Sequence, residues 1–544
     1  MKISSVLRAV AMAGALAFAT AGAAQAVTLN MMNGSEPGTL DPHKASGDWQ
    51  NRIIGDYIEG LVAEDASAAA IPGQAESWDI SEDGLTYTFH LRDGIQWSDG
   101  VPVTAADFEF AFRRLFDPAT ASEYAYLQYP IVGGEEISGG TMPVDSADFG
   151  VKAIDDKTLE IKLKGPTPFF IEALTHYTAY PVPKHVIEAK GADWTNVENI
   201  VGNGPFKIVE WVPGNYVKSV KSETYYGQAD VKLDEVYYYV QEDLKAAFNR
   251  YRAGEYDILT DLANDDQVLV RDTMAAEGHF APFQGIHYYV VNQEKAPFDN
   301  AKVREALSIS INRDVIGPDI WGSGEPPAYG WVPPGTGNYE GVTPYMPEWA
   351  SKSYDERVAQ AKALMSEAGY TTENPLKLQL RYNTNDNHKN LAVAIAAMWK
   401  EIGVEAELFN SETKVQYDAL RAGDFDVGRA GWLNDYSDPS NTLELLKTGT
   451  MQKGDDGVEK MNWGNNYGRF SNKEVDDLLT QATTERDLVK RAALLAQAEK
   501  IAMDSFAAIP LVYYLASNVV KPNIQGFVDN AKDIHRTRWL TKTE

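Results

Sequence analysis

Residues 421–427 read Arg-Ala-Gly-Asp-Phe-Asp-Val, and residues 252–258 read Arg-Ala-Gly-Glu-Tyr-Asp-Ile. In both stretches a helical pattern ends at a glycine, which suits the left-handed position that closes a helix, and an apolar strand follows. Two copies of one helix–strand unit, far apart in the chain, predict two lobes that are built alike. Ligands of open α/β sheets lie outside the carboxyl ends of strands, so the residues after Val427 are predicted to form a ligand wall.

Strand and helix signals alternate along the rest of the chain and predict an α/β fold class. Tyr87, Phe89 and Leu91 alternate with polar residues, as expected of a half-buried strand. The C-terminal third repeats the alternation, with a strand predicted at 376–382, a helix at 387–402 and a second strand at 404–409. These elements surround the second copy of the repeated unit and extend its lobe.

The amino end has the three regions of a secretory signal peptide. Lys2 and Arg8 give a positive start, 9–21 is apolar, and Ala24-Gln25-Ala26 is a small-x-small cleavage site. The apolar run is too short and too rich in alanine for a stable membrane anchor. We therefore expect a signal peptide over residues 1–26 and a mature protein in the periplasm.

Composition excludes several classes of protein. The chain has no cysteine, which excludes disulfides, thiolate metal sites and a lipid anchor on a lipobox cysteine. Its formal net charge of −29 repels nucleic acid and anionic lipid, and it suits a soluble monomer. No nucleic-acid partner is expected.

Motifs for catalysis and cofactor binding are not found. There is no P-loop, nucleophile elbow or HExxH pattern, and the Gly202-x-Gly204 pair lacks the third glycine of a dinucleotide site. The eight histidines show no pair at metal-ligand spacing. We expect no enzyme activity, no catalytic residue, no metal and no cofactor.

The stretch that follows the second repeat copy is the richest candidate for ligand binding. It carries a cation at Arg429, a glycine at 431 where another backbone could approach, Trp432, and a carboxylate at Asp435. Arginine can hold a carboxylate bidentately, aspartate can hold an ammonium, and a zwitterionic peptide offers both groups. Spacing alone leaves open, and slightly favours, the alternative that Arg429 and Asp435 pair with other groups of the protein.

Motifs that recur in one protein family run along essentially the whole chain after residue 26. On these residues the chain resembles the oligopeptide-binding branch of the family 5 extracytoplasmic solute-binding proteins, which are the substrate-binding components of peptide ABC transporters. The combination of 429–432 with 435–436 is similar to the oligopeptide branch rather than to the dipeptide or nickel branches. The motifs are Asn33-Gly-Ser-Glu36, Leu40-Asp-Pro-His-Lys44, Ala75-Glu-Ser-Trp78, Asp83 to Arg92, Trp97-Ser-Asp-Gly-Val-Pro-Val103, Ala106-Asp-Phe108, Ala121 to Tyr129, Asn292 to Phe298, Tyr382-Asn-Thr384 with His388-Lys389, Arg429-Ala-Gly-Trp432, Asp435-Tyr436 and Tyr513-Tyr514.

The resemblance implies a periplasmic-binding-protein type II fold, with two α/β lobes around a ligand cleft plus an extra domain. Lobe I is expected at 27–48, 180–286 and 511–544, the extra domain at 49–179, and lobe II at 287–510. The lobes are expected to close on the ligand by a hinge motion. The expected partners are short peptides and an inner-membrane ABC permease with its ATPase subunits.

The resemblance also implies roles for single residues. Asp435 would bind the α-ammonium of the peptide, and Arg429 and His388 would meet the carboxylates of peptides of different lengths. The remaining expected ligand-binding residues, six along the peptide backbone and one in the first motif, are Tyr124, Tyr126, Gly431, Trp432, Tyr513, Tyr514 and Glu36.

Three alternatives stay open from the sequence. A narrower ligand such as a murein tripeptide could occupy the same fold. A chaperone-like protein that holds unfolded chains is a second alternative, and an unrecognised hydrolase is a third. The sequence does not give the preferred peptide length, and it leaves open what the long loop at 449–467 does.

Overall fold

The computed structural model of this chain describes residues 26–339, 341–453 and 459–543. The predicted signal peptide, except for Ala26, lies outside the described residues. The β-strands are Thr28–Gly34 (β1), Val62–Glu64 (β2), Ala70–Pro72 (β3), Ala75–Ile80 (β4), Thr86–Leu91 (β5), Val151–Asp155 (β6), Thr158–Lys162 (β7), Phe206–Val212 (β8), Tyr216–Lys221 (β9), Glu235–Val240 (β10), Ile258–Leu259 (β11), Gly278–Val291 (β12), Leu376–Asn383 (β13), Val404–Ser411 (β14), Val427–Leu433 (β15), Thr450–Lys453 (β16), Glu459–Asn462 (β17), Ile509–Val520 (β18), Ile524–Gln525 (β19) and Thr541–Lys542 (β20).

Helices alternate with these strands, as the sequence predicts for an α/β chain. The α-helices are Asp48–Tyr57 (α1), Ala105–Phe116 (α2), Gly134–Ser138 (α3), Phe170–Ala173 (α4), Lys184–Lys190 (α5), Leu244–Arg252 (α6), Asn264–Thr273 (α7), Ala301–Ile309 (α8), Tyr354–Glu367 (α9), Asp386–Glu401 (α10), Thr413–Ala422 (α11), Pro439–Leu443 (α12), Lys473–Thr484 (α13) and Leu488–Asp504 (α14).

The repeated helix–strand unit is present in both copies. Helix α6 ends before Gly254 and strand β11 follows, whereas α11 ends before Gly423 and β15 follows. Both glycines have the left-handed backbone conformation, with φ of 80° and 76°, which costs a glycine little because it has no Cβ. The two units therefore end their helices and begin their strands by the same local mechanism.

A single ten-stranded sheet joins the two halves of the molecule. Its order is β14-β13-β15-β12-β18-β11-β1-β10-β9-β8, so β12 and β18 lie at its centre. These two long strands pair with each other and shift register between Pro282 and Ile286, opposite Tyr514. A bulge of this kind bends a strand pair.

The apolar cores follow the same division. One cluster unites β1, β8, β9 and β10 of lobe I, another unites β13, β14 and α10 of lobe II, and a third surrounds the separate sheet β4-β5-β7-β6. Helix α1 packs Ile53, Ile54 and Tyr57 into the lobe I cluster, although its residues fall in the range expected for the extra domain. The exact residue boundaries of the three parts stay a prediction.

Candidate functional site

A cleft opens at the carboxyl end of β15, at the place that the strand rule predicts. It consists of three adjoining cavities of about 990, 390 and 750 Å³, which we call the outer, central and rear cavities. The central cavity shares Leu433 and Lys532 with the outer cavity, and it shares Trp432 and Asp435 with the rear cavity. Volumes of this order are typical of ligand-binding clefts.

Asp435 lies at the junction of the central and rear cavities. The Tyr126 hydroxyl donates to its Oδ2 over 3.3 Å, and the Asn441 amide donates to the same oxygen over 3.4 Å. No lysine or arginine among the described residues forms an ion pair with it. Burial raises the pKa of Asp435 to about 6, although the hydrogen bonds from Asn441 and Tyr126 act in the opposite direction. A partly buried carboxylate without a cation is suited to receive one from a ligand.

Arg429 lies on β15 with its guanidinium buried among neutral acceptors. Nη1 donates to Asn383 Oδ1 at 3.2 Å and to the Tyr417 hydroxyl at 3.3 Å, while Nη2 donates to the Tyr514 hydroxyl at 2.8 Å. No aspartate or glutamate in the described part of the chain forms an ion pair with this arginine. Arg429 and Asp435 thus hydrogen-bond to other groups of the protein, as the alternative from the sequence allowed, but these partners are neutral and neither residue forms an ion pair with a described residue.

Gly431 stands between these two charged residues and makes room for a side chain. A Cβ at this position would lie 2.4 Å from the Tyr514 hydroxyl oxygen and 2.9 Å from Arg429 Nη2. The sequence interpretation assigned the glycine to the approach of another backbone. A larger residue here would force Tyr514 or Arg429 to shift, and the approach of another backbone to Gly431 stays a prediction.

Two histidines lie beside the guanidinium of Arg429. His388 is half-buried near the start of α10, and its ring centroid is 5.3 Å from that of His287, which is fully buried on β12. Burial, reinforced by the charge of Arg429, lowers the pKa of His388 to about 3, so this histidine is neutral in the free protein at ordinary pH. Sequence analysis predicted His388 and missed His287.

Aromatic rings of the extra domain line the cleft on the side of Asp435. Tyr124 stacks on Tyr126 and on His176, each with a ring-centroid distance of 5.7 Å. Farther out, Phe169 of the extra domain stacks on Tyr436 of lobe II at 4.4 Å with nearly parallel rings. These contacts bring the extra domain onto the loop that carries Asp435.

Two of the expected ligand-binding residues, Tyr513 and Glu36, do not lie with the other residues of the site. Tyr513 and Tyr514 are neighbours on β18 and point to opposite faces, as alternate strand residues do. The Tyr513 hydroxyl donates to the Gly330 carbonyl at 3.1 Å, inside lobe II. The Glu36 carboxylate accepts hydrogen bonds from Trp211 at 2.7 Å and from the Gly214 amide at 2.6 Å.

Sequence analysis missed four further residues of the site. Tyr417 and Asn383 contact Arg429, His287 lies against it, and Asn441 binds both the Trp432 indole at 2.7 Å and Asp435. Each is an isolated polar residue in a helix or strand, so no local pattern distinguishes it. Only Asn383 lies inside a motif that the sequence analysis used.

Neither a candidate metal site nor a membrane-spanning helix is present among the described residues. Within 26–339, 341–453 and 459–543, no three or more histidine, aspartate or glutamate side chains are grouped so that they could hold a metal ion. Over the same residues, the helices are too short or too polar to cross a membrane.

Comparison with known proteins places this architecture in a family. The description "Bacterial extracellular solute-binding proteins, family 5 Middle" matches residues 69–454. The chain is 38% identical over 512 residues to the periplasmic oligopeptide-binding protein OppA of Escherichia coli, which covers 93% of this chain and 90% of the relative.

Solved structures give the same result and confirm the fold expected from the sequence. Haemophilus influenzae OppA in complex with the peptide RPPGFSPFR superposes with a TM-score of 0.80 at 32% identity, over 96% of this chain and 100% of the other. The murein tripeptide binding protein MppA of Escherichia coli gives 0.82 at 34% identity, over 96% and 99%. The fold is the mixed α/β architecture with two lobes and an extra domain. The chain belongs to family 5 of the bacterial extracellular solute-binding proteins.

Proposed function

We propose that this chain captures short peptides in the periplasm and delivers them to an inner-membrane ABC permease driven by its ATPase subunits. The relatives named above are periplasmic binding proteins for oligopeptides or a murein tripeptide. One observation carries the proposal for this chain. Arg429 lies on β15 and Asp435 in the loop that follows it, and among the described residues neither forms an ion pair.

The two unpaired charges complement the two ends of a peptide. An α-ammonium would pair with Asp435 under the ring of Tyr126, and a carboxylate would meet Arg429 or His388. Main-chain groups between the ends can pair with protein backbone as in strand addition. Side chains then enter the cavities, where water fills the space that a small side chain leaves. This mode of binding accepts many peptide sequences at one site, and the chain acts as a binding protein and not as an enzyme.

Peptide length separates the roles of the two charges. Every peptide places its ammonium at one register, whereas the carboxylate moves outward by about 3.3 Å for each added residue. We expect Asp435→Asn to weaken tri-, tetra- and pentapeptides alike. Arg429→Met should weaken mainly one length, and His388→Ala a neighbouring one. A uniform loss from Arg429→Met in calorimetry would assign Arg429 to the fold or to the hinge instead.

The murein tripeptide alternative stays open, because the chain is similar both to OppA, with a TM-score of 0.80, and to MppA, with 0.82. Native mass spectrometry of the protein purified from cells tests both alternatives, because a buried ligand is retained in the gas phase. Masses of mixed two- to five-residue peptides support a general peptide carrier. A single mass that contains meso-diaminopimelate supports the narrower ligand, and a non-peptide mass contradicts both.

Export and assembly are part of the same proposal. Cleavage after Ala26 would leave Val27 as the first residue of a monomer in the periplasm. The Val27 amide donates to Asp234 Oδ2 at 2.8 Å, which attaches the expected first residue to lobe I. N-terminal sequencing of the exported protein tests the site, and recovery of residues 1–26 would contradict it.

A further inference from the structure

His287 is the one fully buried histidine beside Arg429. It lies on β12 directly opposite Gly431 on β15. Two residues farther along the same strand pair, Tyr289 lies opposite Arg429. Its side chain has no exposed surface. The strand pairing therefore holds the imidazole next to the arginine, inside the sheet, where the ring has little freedom to move.

Both ring nitrogens of His287 lie close to nitrogens of the Arg429 guanidinium. Arg429 Nη2 is 3.3 Å from Nδ1 of His287, and Arg429 Nε is 3.5 Å from Nε2. Nη2 also donates to the Tyr514 hydroxyl, and Nη1 donates to Asn383 and Tyr417. A neutral imidazole accepts at only one of its two ring nitrogens, so at most four of these contacts are hydrogen bonds, and every group that accepts from the arginine is neutral.

The histidine stays neutral in this position. Burial, together with the charge of Arg429, holds the pKa of His287 well below its usual range. A neutral imidazole supports the arginine without cancelling its charge, whereas an aspartate or glutamate here would form an internal ion pair. The charge of Arg429 is therefore left for a ligand anion.

We propose that His287 is a positioning residue, which orients Arg429 to receive the terminal carboxylate of a bound peptide. The inference rests on the proposed function and deepens it by adding a residue to the carboxylate end of the site. It follows from the geometry of β12 against β15. His287 acts through Arg429 and makes no contact of its own with the peptide.

The test compares each peptide acid with its C-terminal amide. Trialanine, tetraalanine and pentaalanine are titrated calorimetrically in both forms into the wild type and two variants, and the acid-to-amide affinity ratio is the readout. His287→Leu keeps roughly the volume of the ring and removes both nitrogens, whereas His287→Gln keeps a neutral acceptor. A general folding defect lowers both affinities together and leaves the ratio unchanged.

For the peptide length at which the wild type has the largest acid-to-amide affinity ratio, we expect the acid to bind at least tenfold more tightly than the amide. His287→Leu should reduce that preference at least fivefold with amide affinity unchanged within twofold, and His287→Gln should restore most of it. Peptide binding with an unchanged ratio in His287→Leu overturns the inference, and so does a wild-type ratio near one. Absence of binding for every peptide and both forms instead overturns the proposed function.

Discussion

Peptide binding is expected to weaken steeply as the pH falls below 6, because the proposed ammonium anchor is then protonated. Burial raises the pKa of Asp435 to about 6 in the ligand-free protein. A peptide ammonium stabilises the ionised carboxylate, so the pKa in the complex is lower than in the free protein. Binding strength is therefore fully present above pH 6 and is lost as the pH falls through that value.

The size of the effect follows from the same pKa. At pH 7 about nine-tenths of the free protein carries an ionised Asp435, so binding is nearly at its maximum. At pH 4 only about 1% is ionised, and the apparent affinity should be about 100-fold weaker, or about 2.7 kcal/mol. The ammonium of the peptide stays charged throughout, and its carboxyl group titrates below this range.

Calorimetry of a tripeptide between pH 4 and pH 7 at constant ionic strength measures this directly. The wild type should lose about tenfold in affinity for each pH unit below 6 and should release a proton on binding near pH 6. Asp435→Asn is the matched control, and it should bind weakly with no such dependence. A flat profile in the wild type, or the same slope in Asp435→Asn, would refute the assignment of Asp435 as the anchor.

Three further predictions concern stability and closure. Because folding raises the pKa of Asp435, its ionisation destabilises the free protein at pH 7 and not at pH 4. Asp435→Asn should therefore raise the Tm measured by calorimetry at pH 7 only. An equal rise of Tm at both pH values would contradict this. Arg491 donates to fully buried Asp438 at 2.7 and 2.9 Å. In urea unfolding, Arg491→Met should lower the free energy of unfolding by about 3–5 kcal/mol, and Asp438→Asn should lower it by less in the Arg491→Met background than in the wild type. Additive losses of the two substitutions would contradict the pairing. Asn264 of lobe I and Asn387 of lobe II exchange amide hydrogen bonds of 2.8 and 3.2 Å. The chain has no cysteine, so a variant with cysteines at these two positions can form only this disulfide, and its oxidation should slow peptide entry and release. Unchanged rates would show that the contact does not join moving lobes.

Local patterns predicted several elements of the fold. Gly254 and Gly423 mark helix ends through a backbone conformation that depends only on neighbouring residues, and both assignments are confirmed. The shared central strands β12 and β18 were not predicted, because their pairing joins residues that are distant in sequence. The register shift opposite Tyr514 is likewise a property of two strands together, and it leaves no pattern in either one.

The candidate site shows the same limit. Arg429 and Asp435 could be placed near each other because one strand and its following loop carry both. Tyr513 and Tyr514 were grouped as a pair, although the two-residue period of a strand separates them to opposite faces. Contacts across the fold decide the rest: Glu36 is held by Trp211 and Gly214, and His287 reaches Arg429 from another strand.

The central claim is that Asp435 holds the α-ammonium of a peptide in the cleft between the lobes. Titration of one tripeptide and its N-acetylated form into the wild-type protein at pH 7 tests it most directly, since acetylation removes only the ammonium charge. Leaving a buried carboxylate unpaired costs about 2–5 kcal/mol, so the acetylated form should bind at least about 30-fold more weakly. Equal affinities of the two forms would contradict the claim.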